Sequence, residues 1–272
     1  MTPERSVRAG TTDDPPLVAL HTWRGEADNF AALSAALGGT PVYSLLPPDP
    51  EHDVLPRRVE QWVDHHAAVL ATLPIAPPYR FVGWSFGGVV AVELTRRLRD
   101  AGTDVDFVGL IDTIRPRVLP LSDREYVWYH LGAAAAMAAD ERAHYLRQKA
   151  GYLFVRRYPR LGGGTRTLLL RLGYRRNRAE RVSVKPTDPL QVSVHTAYLN
   201  YRGDTVPFPV HLYGTAESIT KAREPALRWV PWLHAGYELA TIPGEHFTLF
   251  APDNVEGLAD AIRTSLRASD VR

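Results

Sequence analysis

The pentapeptide Gly83-Trp84-Ser85-Phe86-Gly87 constrains this chain more than any other stretch. It follows the apolar run from Arg80 to Val82 and precedes VVAVELTRRLRDAG, which has helical periodicity. A serine flanked by glycines two positions away, between a strand and a helix, demands a strained turn and small neighbours that let the backbone close around it. The helix N-terminus adds a field favouring negative charge at that turn. The competing reading is a tight turn with a spare hydroxyl.

The rest of the chain reads as the layout such a turn needs. Apolar runs bounded by turn residues start at Leu17 (LVALHTW), Pro41 (PVYSLL), Tyr79 (YRFVGWS), Asp106 (DFVGLID), Phe208 (FPVHLYG) and Tyr237 (YELATIPG), and each reads as a buried strand. Helix-length stretches lie between them, at 28–37, 57–73, 86–101 and 253–267. Strands alternating with helices imply a parallel sheet covered on both faces, an α/β fold class. The alternation fails between 116 and 206, where alanine-rich and then arginine-rich sequence reads as an inserted helical lid. The expected organisation is therefore a mobile segment at 1–15, a core from 16–115 and 207–272, and a lid at 116–206. Gly162 to Gly164 read as a hinge or turn in the lid; without a preceding strand and a Gly-Lys-Ser/Thr ending they are not a phosphate loop.

A serine hydroxyl is a poor nucleophile until a base takes its proton, so a histidine downstream of Ser85 is required. His246 fits best, because PGEHFTLF follows the last strand and precedes the final helix. His65 and His66 lie on a helix before the serine, His130, His144 and His195 in the lid, His211 within a strand and His234 before the last one. Two carboxylates sit at strand ends where they could orient the imidazole: Asp112 and Glu217. Backbone N–H groups for an oxyanion are expected from Phe86, the residue after the serine, and from Trp23 in the loop HTWRG. His21, just before that loop, reads as a packed polar residue. The chain contains no cysteine, which excludes disulfides, thiolate metal sites and a cysteine nucleophile.

At these residues the sequence resembles the thioesterase domains of nonribosomal peptide and polyketide synthases, of the α/β-hydrolase superfamily. LVALHTWRGEADNFAALSAALG is similar to the family's first strand and oxyanion loop, TPVYSLLPP to its next strand, and PPYRFVGWSFGGVVAVELTRRLRDAG to its most characteristic block. VGLIDT resembles the strand that ends in the catalytic aspartate, and GEHFTLF the histidine loop. The resemblance implies an α/β-hydrolase fold with a mostly parallel sheet and a helical lid, and a triad of Ser85, Asp112 and His246; the 27-residue step from Ser85 to Asp112 favours Asp112 over Glu217. It also implies release of an acyl, peptidyl or polyketide chain from a carrier protein. No cofactor is bound by the chain itself; the phosphopantetheine is the carrier's.

GWSFGG is similar to the product-releasing type, whereas editing thioesterases more often have histidine before the serine. The chain begins with methionine and has no carrier domain, so release and editing both stand as expectations. The rivals are a free-standing carboxylesterase or lipase and a non-catalytic binding protein. Trp23 and Arg24 depart from the small residues or proline usual in the family's loop.

Between Arg142 and Lys185 there are thirteen Lys or Arg and one acid, Glu180, in a chain of net charge +2, so the remainder is net acidic. This basic stretch reads either as a docking surface for an acidic carrier protein or as a solvated helical face. Nucleic acid is not the expected partner. The N-terminus lacks a signal-peptide core, and the longest apolar run, from Leu131 to Ala139, is too short to span a bilayer, so stable membrane insertion is not expected and a cytoplasmic location is.

Overall fold

The computed structural model describes residues 5–21, 27–116, 188–222 and 225–270, with single helical positions between 127 and 150. The elements in order are β1 (Ser6–Ala9), β2 (Leu17–Leu20), α1 (Ala27–Ala36), β3 (Val42–Leu45), α2 (Val59–Leu70), β4 (Tyr79–Trp84), α3 (Phe86–Asp100), β5 (Val105–Ile111), α4 (Pro189–Asn200), β6 (Val210–Thr215), α5 (Ala216–Ala222), β7 (Tyr237–Ile242) and α6 (Pro252–Asp270). The strands form one seven-stranded sheet in the order β1-β3-β2-β4-β5-β6-β7. β1 pairs antiparallel with β3, and every other pairing is parallel. All six expected strand runs therefore lie in the sheet.

The central strands read as continuous apolar runs because both of their faces are covered. In β2, Val18 and Leu20 join a cluster with Trp62 of α2 and Val89 of α3, while Leu17 and Ala19 join Phe30 and Leu33 of α1 and Leu258 and Ile262 of α6. The period-two alternation thus divides one strand between two cores.

Three expectations change. The first fifteen residues were expected to be mobile, yet SVRA forms β1, an edge strand in register with β3 from Ser6↔Leu45 to Ala9↔Val42. Arg5, ahead of it, forms an ion pair with Asp53. At the other edge, β7 reads as a buried strand in sequence, but Tyr237, Glu238 and Leu239 are exposed because only β6 flanks it.

The third change concerns the lid. The chain divides into two compact units, residues 1–117 with 187–272, and residues 118–186. Residues 188–206, assigned to the lid from sequence, pack with the core because α4 buries Leu190, Val194 and Ala197. Tyr198 donates its hydroxyl to the Ile114 carbonyl at 2.7 Å, and the buried Arg115 guanidinium sits 3.7 Å from the Trp232 ring centre and 5.3 Å from that of Tyr201. Of the second unit, positions such as Val127, Leu131, Ala134 and Arg142 are helical; the triglycine 162–164 and most of the basic stretch lie outside the described residues.

Where β4 turns into α3 the backbone packs at its tightest. A Cβ on Gly87 would meet the Leu20 carbonyl oxygen at 2.1 Å, and one on Gly88 would meet Thr113 Oγ1 at 2.0 Å. Neither approach leaves room for a methyl group. Gly88→Ala is expected to destabilise the fold by roughly 2–3 kcal/mol in urea unfolding; an unchanged midpoint would show that Thr113 can yield.

Candidate active site

Ser85 follows β4 with φ 55° and ψ −117°, a strained conformation for a residue with a side chain. Its N–H donates to the Ile111 carbonyl at 2.9 Å, which ties the turn to the end of the neighbouring strand β5. Phe86 is the first residue of α3, so its N–H has no carbonyl one turn earlier within the helix to receive it. The Phe86 ring packs edge-on to Trp62 at 5.5 Å. Trp23, the other expected oxyanion donor, lies outside the described residues.

Asp112 follows β5 directly and also takes a positive φ, 46°. Its N–H donates to the Tyr213 carbonyl, which turns the side chain into the interior beyond the strand ends. The carboxylate has no solvent exposure. One oxygen, Oδ1, accepts the Thr215 N–H at 2.9 Å and the Thr215 hydroxyl at 3.2 Å; the other, Oδ2, accepts the Ser218 hydroxyl at 2.6 Å and lies 2.6 Å from His246 Nδ1. Burial alone would raise the Asp112 pKa, but the hydrogen bonds from His246, Ser218 and Thr215 outweigh it and hold the group below the ordinary carboxylate value. An ionised carboxylate only accepts, so Nδ1 of His246 carries the proton and Nε2 is left as an acceptor.

The sheet thus brings Asp112 and His246 together although they are 134 residues apart. Glu217, the rival acid, is exposed on α5, one residue from the serine that bonds Asp112. His246 is partly exposed, and its ring lies 5.6 Å from that of Trp84, the residue immediately before Ser85. Trp84 also packs edge-on against Phe250 at 5.0 Å, while Phe247 extends into solvent with 81% of its surface exposed. Thr215, Ser218 and the Trp84 contact are absent from the sequence reading. Hydroxyl donors have no spacing rule, and the only available signal was that TAES follows a strand end beside Asp112's strand.

Among the described residues, the other histidines lie elsewhere. His211, in β6, stacks on Phe107 at 4.8 Å and faces Glu238. His21 is buried against Phe30, as a packed residue should be, and neither ring nitrogen has a hydrogen-bond partner among the described residues.

A seven-stranded, mostly parallel sheet with helices on both faces, a strained serine after its central strand and a buried aspartate–histidine pair define the α/β-hydrolase fold. Comparison with known families bears on one part of the chain: residues 15–128 match the model of the thioesterase domain. Over 258 residues, 93% of the chain, it is 24% identical to enterobactin synthase component F of Escherichia coli O157:H7 and covers 18% of that protein. The chain spans less than a third of the length of the curated relatives it matches.

Among solved structures, the NocB thioesterase domain in covalent complex with a fluorophosphonate nocardicin G analogue superposes with TM-score 0.60 at 22% identity, covering 97% of this chain and 100% of that one. The type II thioesterase BorB of the borrelidin cluster gives 0.57 at 20%, covering 95% of each. Among the described residues, no helix is long and apolar enough to cross a membrane.

Burial pulls the pKa of His21 down to about 4 and that of His66 well below its ordinary value of 6.5. Both are neutral in the folded chain, so the unfolded chain binds more protons as pH falls through about 6.5. Stability is therefore full above that pH and declines towards pH 4, by about 1.4 kcal/mol per unit for each histidine. His66→Phe, which keeps a ring against Trp62, is expected to flatten the decline of the urea midpoint; an unaltered slope would show that His66 is not its source.

Proposed function

We propose that this protein is a serine thioesterase that releases an acyl, peptidyl or polyketide chain from the phosphopantetheine of a carrier protein. The observations that carry this reading are the Asp112–His246 hydrogen bond and a serine held at a strained turn on a helix N-terminus, its N–H bonded to the carbonyl of Ile111, the residue before Asp112. In the proposed sequence, Ser85 Oγ attacks the thioester carbonyl carbon while its proton passes to His246 Nε2. Asp112 holds the resulting imidazolium, and the N–H groups of Phe86 and Trp23 receive the oxyanion. Collapse breaks the carbon–sulfur bond, and the proton moves from His246 to the departing thiol. Water, or a nucleophile within the acyl chain, then attacks the acyl-serine with His246 as base and restores the Ser85 hydroxyl. Hydrolysis and cyclisation share every one of these residues.

The carrier as partner is supported by the relatives, which are synthetases, and the basic stretch between Arg142 and Lys185 is its proposed docking surface. Trp84, where editing relatives more often have histidine, favours release over editing. Oxygen-ester hydrolysis is the rival activity, since the same triad serves it.

Kinetics on matched substrates test the reading. The thioester is expected to exceed its oxygen-ester counterpart in kcat/KM, with Ser85→Ala lowering kcat at least 10³-fold and Asp112→Asn roughly 10³- to 10⁴-fold through the wrong imidazole tautomer. Equal turnover by Ser85→Ala would remove the covalent route, and a preference for the oxygen ester would make the protein an esterase.

A further inference from the structure

A carboxylate has about four lone-pair directions, and here all four are filled: two by Thr215, one by Ser218 and one by His246. Three of the four donors come from one short segment, Thr215 to Ser218, at the end of β6. The segment is internally braced, because the Ser218 N–H donates to Thr215 Oγ1 at 3.1 Å. Ser218 is 3% exposed, and its hydroxyl shares Oδ2 with His246. No position on the carboxylate is left for water, and the group cannot rotate without breaking a charge-assisted bond.

We propose that Ser218 is a positioning residue for the proposed triad: its hydroxyl fixes the plane of the Asp112 carboxylate and shares the charge of Oδ2, so that His246 meets an oriented and moderated acceptor. This rests on the reading of Ser85, Asp112 and His246 given above. Two consequences follow. Without the hydroxyl, Oδ2 is no longer divided between two donors, so it binds the imidazolium more strongly and His246 gives up its proton at higher pH. The carboxylate is also freed to turn, so the imidazole spends less time aligned with Ser85. The first effect moves a pH profile, and the second lowers kcat with little change in KM. A serine that merely packed the end of β6 would produce neither.

The test is Ser218→Ala in the full chain, with Ser218→Thr retaining the hydroxyl and Ser218→Cys supplying a weaker donor should the alanine variant not fold. Two readouts are taken: the pH dependence of Ser85 labelling by a fluorophosphonate, and the downfield proton resonance of His246 Nδ1–H. Ser218→Ala, or Ser218→Cys to a smaller extent, is expected to move the acidic limb of labelling upward by about half a unit to one unit, to slow labelling roughly tenfold at its optimum, and to shift the Nδ1–H resonance. Ser218→Thr restores all three. Loss of thermal stability with the limb and the resonance unmoved would overturn the proposal. The resonance does not depend on turnover, so failure at Ser218 is separable from failure of the underlying reading, which shows instead as labelling that persists in Ser85→Ala.

Discussion

A buried, ionised carboxylate is the interaction on which the site depends. Removing one charge from water costs several kcal/mol unless its partners are in place, and leaving one partner unpaired typically costs about 3–5 kcal/mol. Asp112 meets that requirement with donors from three places: the end of β6, the first turn of α5 and the loop before α6. Its positive φ and the bond from its N–H to Tyr213 aim it there. The order of the strands brings these donors together, since β5 and β6 are parallel neighbours and β7 delivers the histidine loop at the same end of the sheet.

The serine side of the site depends on a different constraint, the absence of side-chain volume. At Gly87 and Gly88, α3 comes so close to the ends of β2 and β5 that a single added carbon would overlap a carbonyl oxygen or the Thr113 hydroxyl. That closeness places Ser85 between its two neighbours, with its N–H on Ile111, one residue before Asp112. Electrostatics therefore positions the acid and histidine, and packing positions the serine. The two meet through the β4–β5 pairing, which runs from Tyr79↔Val105 to Trp84↔Ile111.

Much of this is legible in the sequence because buried parallel strands carry an unbroken apolar signal. LVAL, YRFVGW and VDFVGLI stand out for that reason, and so does the serine turn between its glycines. What escapes has a physical reason in each case. β1 is four residues of an edge strand, half-exposed and polar, with no alternation to read. α4 looks like lid because a helix that buries its face on the core has the same periodicity as one in a lid. The hydroxyls of Thr215 and Ser218 are invisible since any serine or threonine near a strand end looks alike until tertiary structure aims it at a charge. Glu217, the more conspicuous residue in that segment, faces solvent.

The central claim is covalent catalysis at Ser85, and trapping the intermediate tests it most directly. The full chain would be mixed with a carrier protein bearing an acyl-phosphopantetheine thioester, quenched in acid within milliseconds and digested for mass spectrometry. The account predicts an added acyl mass on the peptide containing Gly83 to Gly87, localised to Ser85, and none in the Ser85→Ala protein. Turnover of the thioester with no acyl mass on Ser85 at any quench time, and with Ser85→Ala equally active, would contradict it.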